Sequence, residues 1–313
     1  MVTWLMPVKN AMPYLPATLE SIQSQTYINH QILVWDNGST DGTVEELQRW
    51  IPHRIPGKII LGRSMSVGSS RAELVRMAET EWCACIDGDD INFLGRLQTQ
   101  VEFLLGHPEI AVVGSQVIKI DQDGQEQGQF CQLPMEHDDI VHRLLYSWVV
   151  WQPTVLFRRA AVLDVGNYRD VRHEDYDLWL RLAARYRLAN MDQCLVKYRV
   201  HSNNLTFAIP AEEAENQTNQ SFIDHAPALF GCSSTDAEKL RKKRGFFTFP
   251  KLWLIAGYLS KKLGGSRWNR LRKPSFLEAC GQVVRRRDFL SRLLIAILKL
   301  GNPNQRDTDT LSK

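Results

Sequence analysis

The chain has 313 residues, 44% hydrophobic and 23% charged, with a net charge of +3. These values are ordinary for a globular protein with ample residues for a core, as one large domain or one domain with an appendage. The six cysteines (83, 85, 131, 194, 232 and 280) show neither a Cys-x-x-Cys spacing nor a dense framework, which excludes a disulfide scaffold and fits reduced, mostly buried thiols. Met1-Val2-Thr3-Trp4 leads straight into a strand-like run, without a charged and apolar leader, and no run of about 18 apolar residues follows. The expectation is a cytoplasmic chain without a conventional transmembrane helix. The charge is unevenly spread: residues 1–205 carry 19 Lys+Arg against 25 Asp+Glu, and residues 239–300 carry 17 against 2. An acidic body thus precedes a strongly basic region, which needs an anionic partner or a solvated surface.

Val2 to Met6 reads as a buried strand ending at Pro7-Val8-Lys9-Asn10. Leu15, Leu19 and Ile22 follow at helical spacing, predicting a helix over about 14–25. Gln31 to Trp35 is a second strand, closed by the turn formers Asp36-Asn37-Gly38-Ser39-Thr40-Asp41-Gly42-Thr43. Helical spacing resumes over Val44–Trp50, and Lys58–Leu61 is a third strand. Ser70-x-x-Glu73 has the form of a capping box opening a helix to about Ala78. The short apolar run Trp82-Cys83-Ala84-Cys85-Ile86 is a buried strand, followed by a helix near 93–105. Strand and helix alternate, so a mostly parallel sheet covered by helices is expected. After residue 110 the pattern changes. Ile110–Ile120 is extended, Asp121-Gln122-Asp123-Gly124 is a hairpin-type turn, and Pro153–Phe157 is another strand. A short helix ended by Gly166 follows, then a helix over Asp175–Tyr186 and strand-rich sequence over Leu188–Val200. Near the C-terminus, Phe289 to Leu300 has one apolar face.

Asp87, Asp89 and Asp90 stand directly behind the fourth strand, at the sheet edge where ligands of open α/β sheets bind. Carboxylates this close repel and raise one another's pKa, and a hard divalent cation relieves the repulsion. A polar turn closing a strand is the other reading of these residues; Asp90 in particular is expected as a helix N-terminal acid.

Together the strand-1 exit, the strand-2 exit and the 87–90 cluster resemble glycosyltransferase family 2, the inverting enzymes of the GT-A fold. The resemblance continues through Gln152-Pro153-Thr154-Val155-Leu156-Phe157-Arg158-Arg159, Gly166-Asn167-Tyr168, Glu174-Asp175-Tyr176-Asp177-Leu178-Trp179 and Tyr198-Arg199-Val200-His201. It covers about residues 2–203. It implies a GT-A domain over 1–205 and leaves 206–313 as a basic helical extension. By position it implies that Pro7, Val8 and Lys9 line the base and ribose pocket of a nucleotide-sugar donor. Asp36 would accept a hydrogen bond from uracil. Arg71 would sit near the nucleotide or its phosphates, and Asp87 would face the ribose or the metal. Asp89 would coordinate Mn²⁺ or Mg²⁺, with His201 near the diphosphate as a further metal-side residue, and Asp175 would be the catalytic base.

The chemistry suits this division. The diphosphate leaving group needs a cation acting as Lewis acid, and the acceptor hydroxyl needs a positioned carboxylate to take its proton. Inversion puts that base on the face opposite the leaving group, so it must be separate from the metal carboxylates. Asp177 is expected to be structural. Three positions depart from the family pattern. Asn37 replaces a frequent second Asp. Lys9 stands where a base-stacking Tyr is frequent, which leaves a base other than uracil open, and Gln152 stands where His is frequent on the acceptor side. A sugar-1-phosphate nucleotidyltransferase would want a Gly-rich, Arg- and Lys-bearing loop after strand 1, which Pro7–Pro13 lacks. A non-catalytic nucleotide-sugar-binding or membrane-associated protein is the rival that only turnover excludes. The expected partners are a nucleotide-sugar donor and a saccharide or lipid-linked acceptor, with no nucleic acid. The basic, aromatic-rich segment 239–300 reads as a peripheral contact with an anionic membrane, or as a dimer or body-packing helix. Vesicle binding with and without residues 239–313 separates these readings.

Overall fold

The computed structural model describes residues 1–129, 132–144, 148–202, 204, 211–230 and 234–241. Its first part alternates β1 (Val2–Val8), α1 (Leu15–Gln23), β2 (His30–Asp36), α2 (Thr43–Trp50), β3 (Gly57–Leu61), α3 (Val67–Met77) and β4 (Trp82–Cys85). These strands lie in the order β3-β2-β1-β4, and each pair is parallel. Every residue of β1 and of β4 is buried, as expected of strands covered on both faces, which need continuous apolar runs. Val2, Trp4, Met6 and Val8 share a core with Leu15, Leu19 and Ile22 of α1 and with Leu47 and Trp50 of α2.

Proline is unusual in a central strand because it cannot donate to the ladder, yet Pro7 sits in β1. Leu5 is the last β1 residue paired with β4, and its carbonyl takes the Ile86 N–H. The Val8 carbonyl takes the Asn37 N–H from the β2 side. By alternation Pro7 faces the β4 side, one step beyond the last pair, where its missing N–H breaks no ladder bond. The β1 and β4 exits are free to diverge there.

The second part holds β5 (Ile91–Asn92), α4 (Arg96–Gly106), β6 (Ile110–Ile120), β7 (Glu126–Gln129), α5 (His137–Leu144), β8 (Leu156–Arg158), α6 (Arg159–Asp164), α7 (Glu174–Arg185), β9 (Arg187–Arg199), α8 (Ala211–Phe230) and α9 (Ser234–Arg241). The sheet continues past β4 as β8-β6-β9-β5, with β7 on β6. Here it is mixed: β8 is antiparallel to β4 and β6, β5 is antiparallel to β9, and β6 is parallel to β9. The expected α/β fold is present, all-parallel over β3-β2-β1-β4 and mixed beyond. The 121–124 hairpin turn is also present, with Gly124 at φ +83° joining β6 to β7.

Three local expectations are corrected. The helix α3 starts at Val67, not at Ser70: Ser66 is the N-cap and accepts from the Ser69 N–H at 3.1 Å. Ser70 is turned inward instead, donating to the Ser66 carbonyl and accepting from Asn37 Nδ2. Asp90 does not begin a helix. The strand β5 and a turn intervene before α4 starts at Arg96, and Asp90 Oδ1 accepts the Arg199 N–H at 2.8 Å. The strand expected over 153–157 is shorter, because Gln152–Thr154 forms a 3-10 turn and β8 covers only Leu156–Arg158.

The chain divides into two units, Met1–Leu229 and Phe230–Lys313. In the first, α8 buries Thr218, Ser221, Phe222, Ala226 and Leu229. In the second, α9 is the described element. From residue 242 onward the basic segment 239–300 and the apolar face at 289–300 lie outside the described residues. No helix among the described residues is long and apolar enough to cross a membrane. Cys83 and Cys85 are free and buried, and burial pushes both thiols up, Cys85 to about 11, which leaves them unreactive.

Candidate functional site

The loops leaving β1 and β2 are laced together by their own side chains. Ser39 Oγ accepts the Asn10 N–H, Asn10 Oδ1 accepts the Thr40 N–H, Thr43 Oγ1 accepts the Ala11 N–H, and Asp41 Oδ2 accepts the Met12 N–H, all at 2.8–2.9 Å. Asp36, at the end of β2, is buried and accepts the Gly38 N–H at 2.9 Å and the Ser39 N–H at 3.1 Å. Gly38 and Gly42 supply the left-handed turns at φ +82° and +94°. Much of the turn motif read from the sequence therefore holds backbone. Pro7 and Val8 are buried, Val8 in the core, and Lys9 is exposed beside them.

The segment Asp87-Gly88-Asp89-Asp90 passes close under β1. A Cβ on Gly88 would stand 3.1 Å from both Val8 Cγ1 and Ala11 Cβ, so glycine lets the two carboxylates flank a tight crossing. Beneath, the fully buried Arg96 holds the exit of β4: its Nη2 donates to the Cys85 carbonyl at 2.8 Å and its guanidinium lies 5.0 Å over the Trp4 ring. Asp89 Oδ2 meets His201 Nε2 at 2.9 Å. Burial, and then the Asp87 charge, push the Asp89 carboxyl up, while the His201 hydrogen bond pulls the other way. Asp90 is fully buried and raised well above the usual carboxylate range by burial and by its two acidic neighbours. Arg199 backs the cluster. Its Nε donates to the Asp89 carbonyl at 2.9 Å, its guanidinium lies 4.6 Å over Tyr14, and the Tyr14 ring stands 4.9 Å from the His201 ring.

A second acid motif stands at the head of α7. Glu174, Asp175 and Asp177 all fall in its first turn, where the helix dipole favours negative charge. Arg71, buried on α3, joins the two acid motifs: Nη1 pairs with Glu174, and Nη2 pairs with Asp87 at 2.7 Å. Burial opposes the Arg71 charge, but Asp87 and Glu174 outweigh it and raise its pKa. Asp175 is half-buried, with Oδ1 accepting the Tyr176 N–H at 2.8 Å. Burial, and then the Glu174 charge, push its carboxyl up to about 7 against the pull of Arg71. A carboxyl there is a far better proton acceptor than one at the usual value. Asp177 is tied to Arg181 Nε at 2.9 Å and to His225 Nε2 on α8 at 2.8 Å.

Of the residues singled out in the sequence, the structure joins Asp89 to His201 and Asp87 to Arg71, and it brings Glu174, the neighbour of Asp175, into the same bridge. Among the described residues no three His, Cys, Asp or Glu side chains group as a ready metal cage. Gln152 is buried and donates to the Tyr168 hydroxyl at 2.7 Å. Sequence reasoning missed Glu174 as the partner of Arg71, and Tyr14, Arg199 and Asn204 around Asp89. The last of these donates to the Arg199 carbonyl at 3.2 Å and reaches Asp89 Oδ2 at 3.4 Å. A buried arginine needs partners for its charge and its N–H groups, and an acidic pair ahead of an apolar helix is the signal that could have supplied one.

A family model described as Glycosyl transferase family 2 matches residues 3–166. The chain is 30% identical over 211 residues to the putative glycosyltransferase EpsE of Bacillus subtilis, covering 64% of this chain and 74% of that one. It is 28% identical over 193 residues to the amylovoran biosynthesis glycosyltransferase AmsE of Erwinia amylovora, covering 60% and 71%. Among solved structures it resembles residues 1–349 of TarS from S. aureus in complex with UDP-GlcNAc (TM-score 0.59, 15% identity, 90% of this chain and 80% of that one). It also resembles the mannosyltransferase PcManGT from Pyrobaculum calidifontis in complex with GDP-Man and Mn²⁺ (TM-score 0.55, 17% identity, 96% and 85%). At these identities the two structures speak to the fold alone, and that fold is the GT-A type expected from the sequence.

Proposed function

The chain belongs to glycosyl transferase family 2, and from that premise we propose that it moves a sugar from a nucleoside-diphosphate donor to a hydroxyl of a saccharide or lipid-linked acceptor, with inversion at the anomeric carbon. UDP-sugars head the donor list: TarS was solved with UDP-GlcNAc, and PcManGT with GDP-Man keeps a guanine donor in view. AmsE takes part in amylovoran biosynthesis, which makes polysaccharide assembly the setting for this reading.

The observation that carries the proposal is the place of Asp175 in the first turn of α7, next to Glu174, which Arg71 bridges to Asp87; burial and Glu174 push its carboxyl up to about 7. In this reading Asp175 takes the proton of the acceptor hydroxyl as its oxygen bonds to the anomeric carbon and the bond to the diphosphate breaks. Arg71 holds the two edges at a fixed separation, so the nucleophile and the leaving group are presented on opposite sides of the sugar. Pro7, Val8, Lys9 and Asp36 border the base and ribose, Asp36 with the accepting capacity left by its turn.

Asp89 and His201 fit a hard divalent cation. A carboxylate and an imidazole nitrogen already meet there at 2.9 Å, and burial and like charge disfavour the bare Asp89 anion. Mg²⁺ and Mn²⁺ sites of this kind take one or two protein carboxylates and fill the rest with phosphate and water. Asp87, held by Arg71, is the further candidate ligand. Bound there, Mn²⁺ or Mg²⁺ would supply Lewis-acid stabilisation to the departing diphosphate.

The test is nucleotide release from a panel of UDP-, GDP- and dTDP-sugars with Mn²⁺ and a mixed glycan acceptor pool, for the wild type, Asp89→Ala and Asp175→Asn. Metal-dependent release from one donor, lost in both variants, is expected. Tight nucleotide binding without turnover, unchanged in Asp175→Asn, would contradict it.

A further inference from the structure

A base at Asp175 needs an acceptor hydroxyl held beside the first turn of α7. Beside the first turn of α7, Trp148 is 41% exposed, while the tryptophans at 4, 35, 50, 82 and 179 are buried. Trp148 is also not loose on the surface. The His173 ring stands against it at 5.2 Å with the planes at 69°, and the Tyr176 ring lies behind at 6.2 Å, itself held by its hydroxyl on the Leu144 carbonyl at 2.6 Å.

The residue that props the indole is unusual in two ways. His173 is the N-cap of α7 and adopts a left-handed conformation, φ 55° and ψ 50°. That conformation is costly for a non-glycine residue and is concentrated at functional sites. Its Nε2 is buried with no hydrogen-bond partner among the described residues, a cost seldom left uncompensated. Burial, and then the nearby Arg172, lower its pKa, so the ring packs as a neutral imidazole. Two residues on stands Asp175.

We propose that Trp148 and His173 form an acceptor subsite for a sugar ring, in which the C–H face of a pyranose stacks on the Trp148 indole and one of its hydroxyls is presented to Asp175. His173 is the positioning residue, holding the indole upright through its ring. The inference rests on the transferase reading and narrows it: the group that receives the sugar is itself a sugar ring, whether free or carried on a lipid. A pyranose fits this arrangement better than a plain alkyl alcohol. It offers an apolar face to a flat aromatic and a polar rim to a carboxylate, the mixture that sugar-sized sites combine.

The experiment uses the full chain with Mn²⁺, UDP as the probe of nucleotide affinity, the sugar nucleotide that the donor panel shows to be turned over as the donor, and a panel of p-nitrophenyl hexosides and N-acetylhexosaminides, with glycerol as the ringless alcohol. Nucleotide affinity, acceptor-independent donor hydrolysis, acceptor KM and kcat are read together. Trp148→Ala should raise acceptor KM by about tenfold and leave nucleotide affinity and donor hydrolysis unchanged. Trp148→Phe should stay within about threefold, since a smaller aromatic keeps the stacking face. His173→Asn, which tolerates the left-handed backbone, should raise acceptor KM without moving donor KM. Saturation-transfer NMR on the wild type should show ring C–H protons of a glycoside in contact with the protein, independently of any variant. An unchanged acceptor KM in Trp148→Ala would overturn the subsite, as would a wild type that binds nucleotide yet uses no glycoside better than glycerol. A wild type that binds no nucleotide would instead overturn the transferase reading beneath it.

Discussion

The loops after β1 and β2 are held by side chains bonding backbone no more than 32 residues away, whereas Glu174, the first acid of α7, is held by Arg71, 103 residues away. The first edge is a short-range construction in which turn formers satisfy nearby N–H groups. The second is assembled only when α3, β4 and α7 have packed. The difference bears on function as well as on folding. In the proposed mechanism the donor edge needs a fixed backbone frame, while a base on α7 needs a carboxyl whose affinity for a proton is raised by burial and by a neighbouring charge.

If Arg71 joins the two edges, removing it should cost most. Arg71→Met leaves Glu174 and Asp87 without their cation and should lower stability by about 3–5 kcal/mol, read from urea midpoints. Turnover should fall with it. Arg71→Lys should recover only part, because a point charge cannot span both carboxylates as a fork does. A loss under about 1 kcal/mol with full turnover would mean that the bridge joins nothing.

Asp177 separates structure from chemistry within α7. Asp177→Asn should destabilise by about 2 kcal/mol and leave nucleotide affinity intact. Burial works to raise this carboxyl, but the His225 hydrogen bond and Arg181 outweigh it and hold it below the usual range. A depressed carboxyl stabilises the fold fully above its unfolded value of about 3.9 and loses that contribution as pH falls through the folded one. The gap between wild type and variant in thermal melts should therefore close below about pH 4; a constant gap down to pH 3 would argue against the ion pair.

The smallest effect belongs to the short-range edge. Asp41 accepts the Met12 N–H at 2.9 Å and the Thr43 hydroxyl at 2.7 Å. Asp41→Ala should cost about 1 kcal/mol and speed amide exchange at Met12. Unchanged exchange there would show that the two loops are held by other means.

The same contrast sets what the sequence reveals. Continuous apolar runs and helical spacing place β1 to β4 and the helices between them, because those patterns report burial directly. Turn chemistry marks the loops at 36–43 and 121–124. Ser70 misleads as a helix cap because Ser66, four residues earlier, is free to cap, while Asn37 draws Ser70 inward; that depends on a loop 33 residues away. Asp90 misleads as a helix acid because the two-residue β5 pairs with β9, over 100 residues on. Trp148 and His173 carry no local signal at all. They meet because the 166–173 turn folds back, with Gly166, Asn167 and His173 all at positive φ.

The most direct measurement is the pH dependence of kcat for transfer, with saturating donor and acceptor, in the wild type and in Asp175→Asn. The Asp175 carboxyl, pushed up to about 7 by burial and by Glu174, accepts a proton only when ionised. The wild-type rate should therefore climb with pH and level off above that value, and the residual rate of Asp175→Asn, lower by about 10²–10⁴-fold, should lack the climb. The same rise in both proteins would mean that another group takes the acceptor proton.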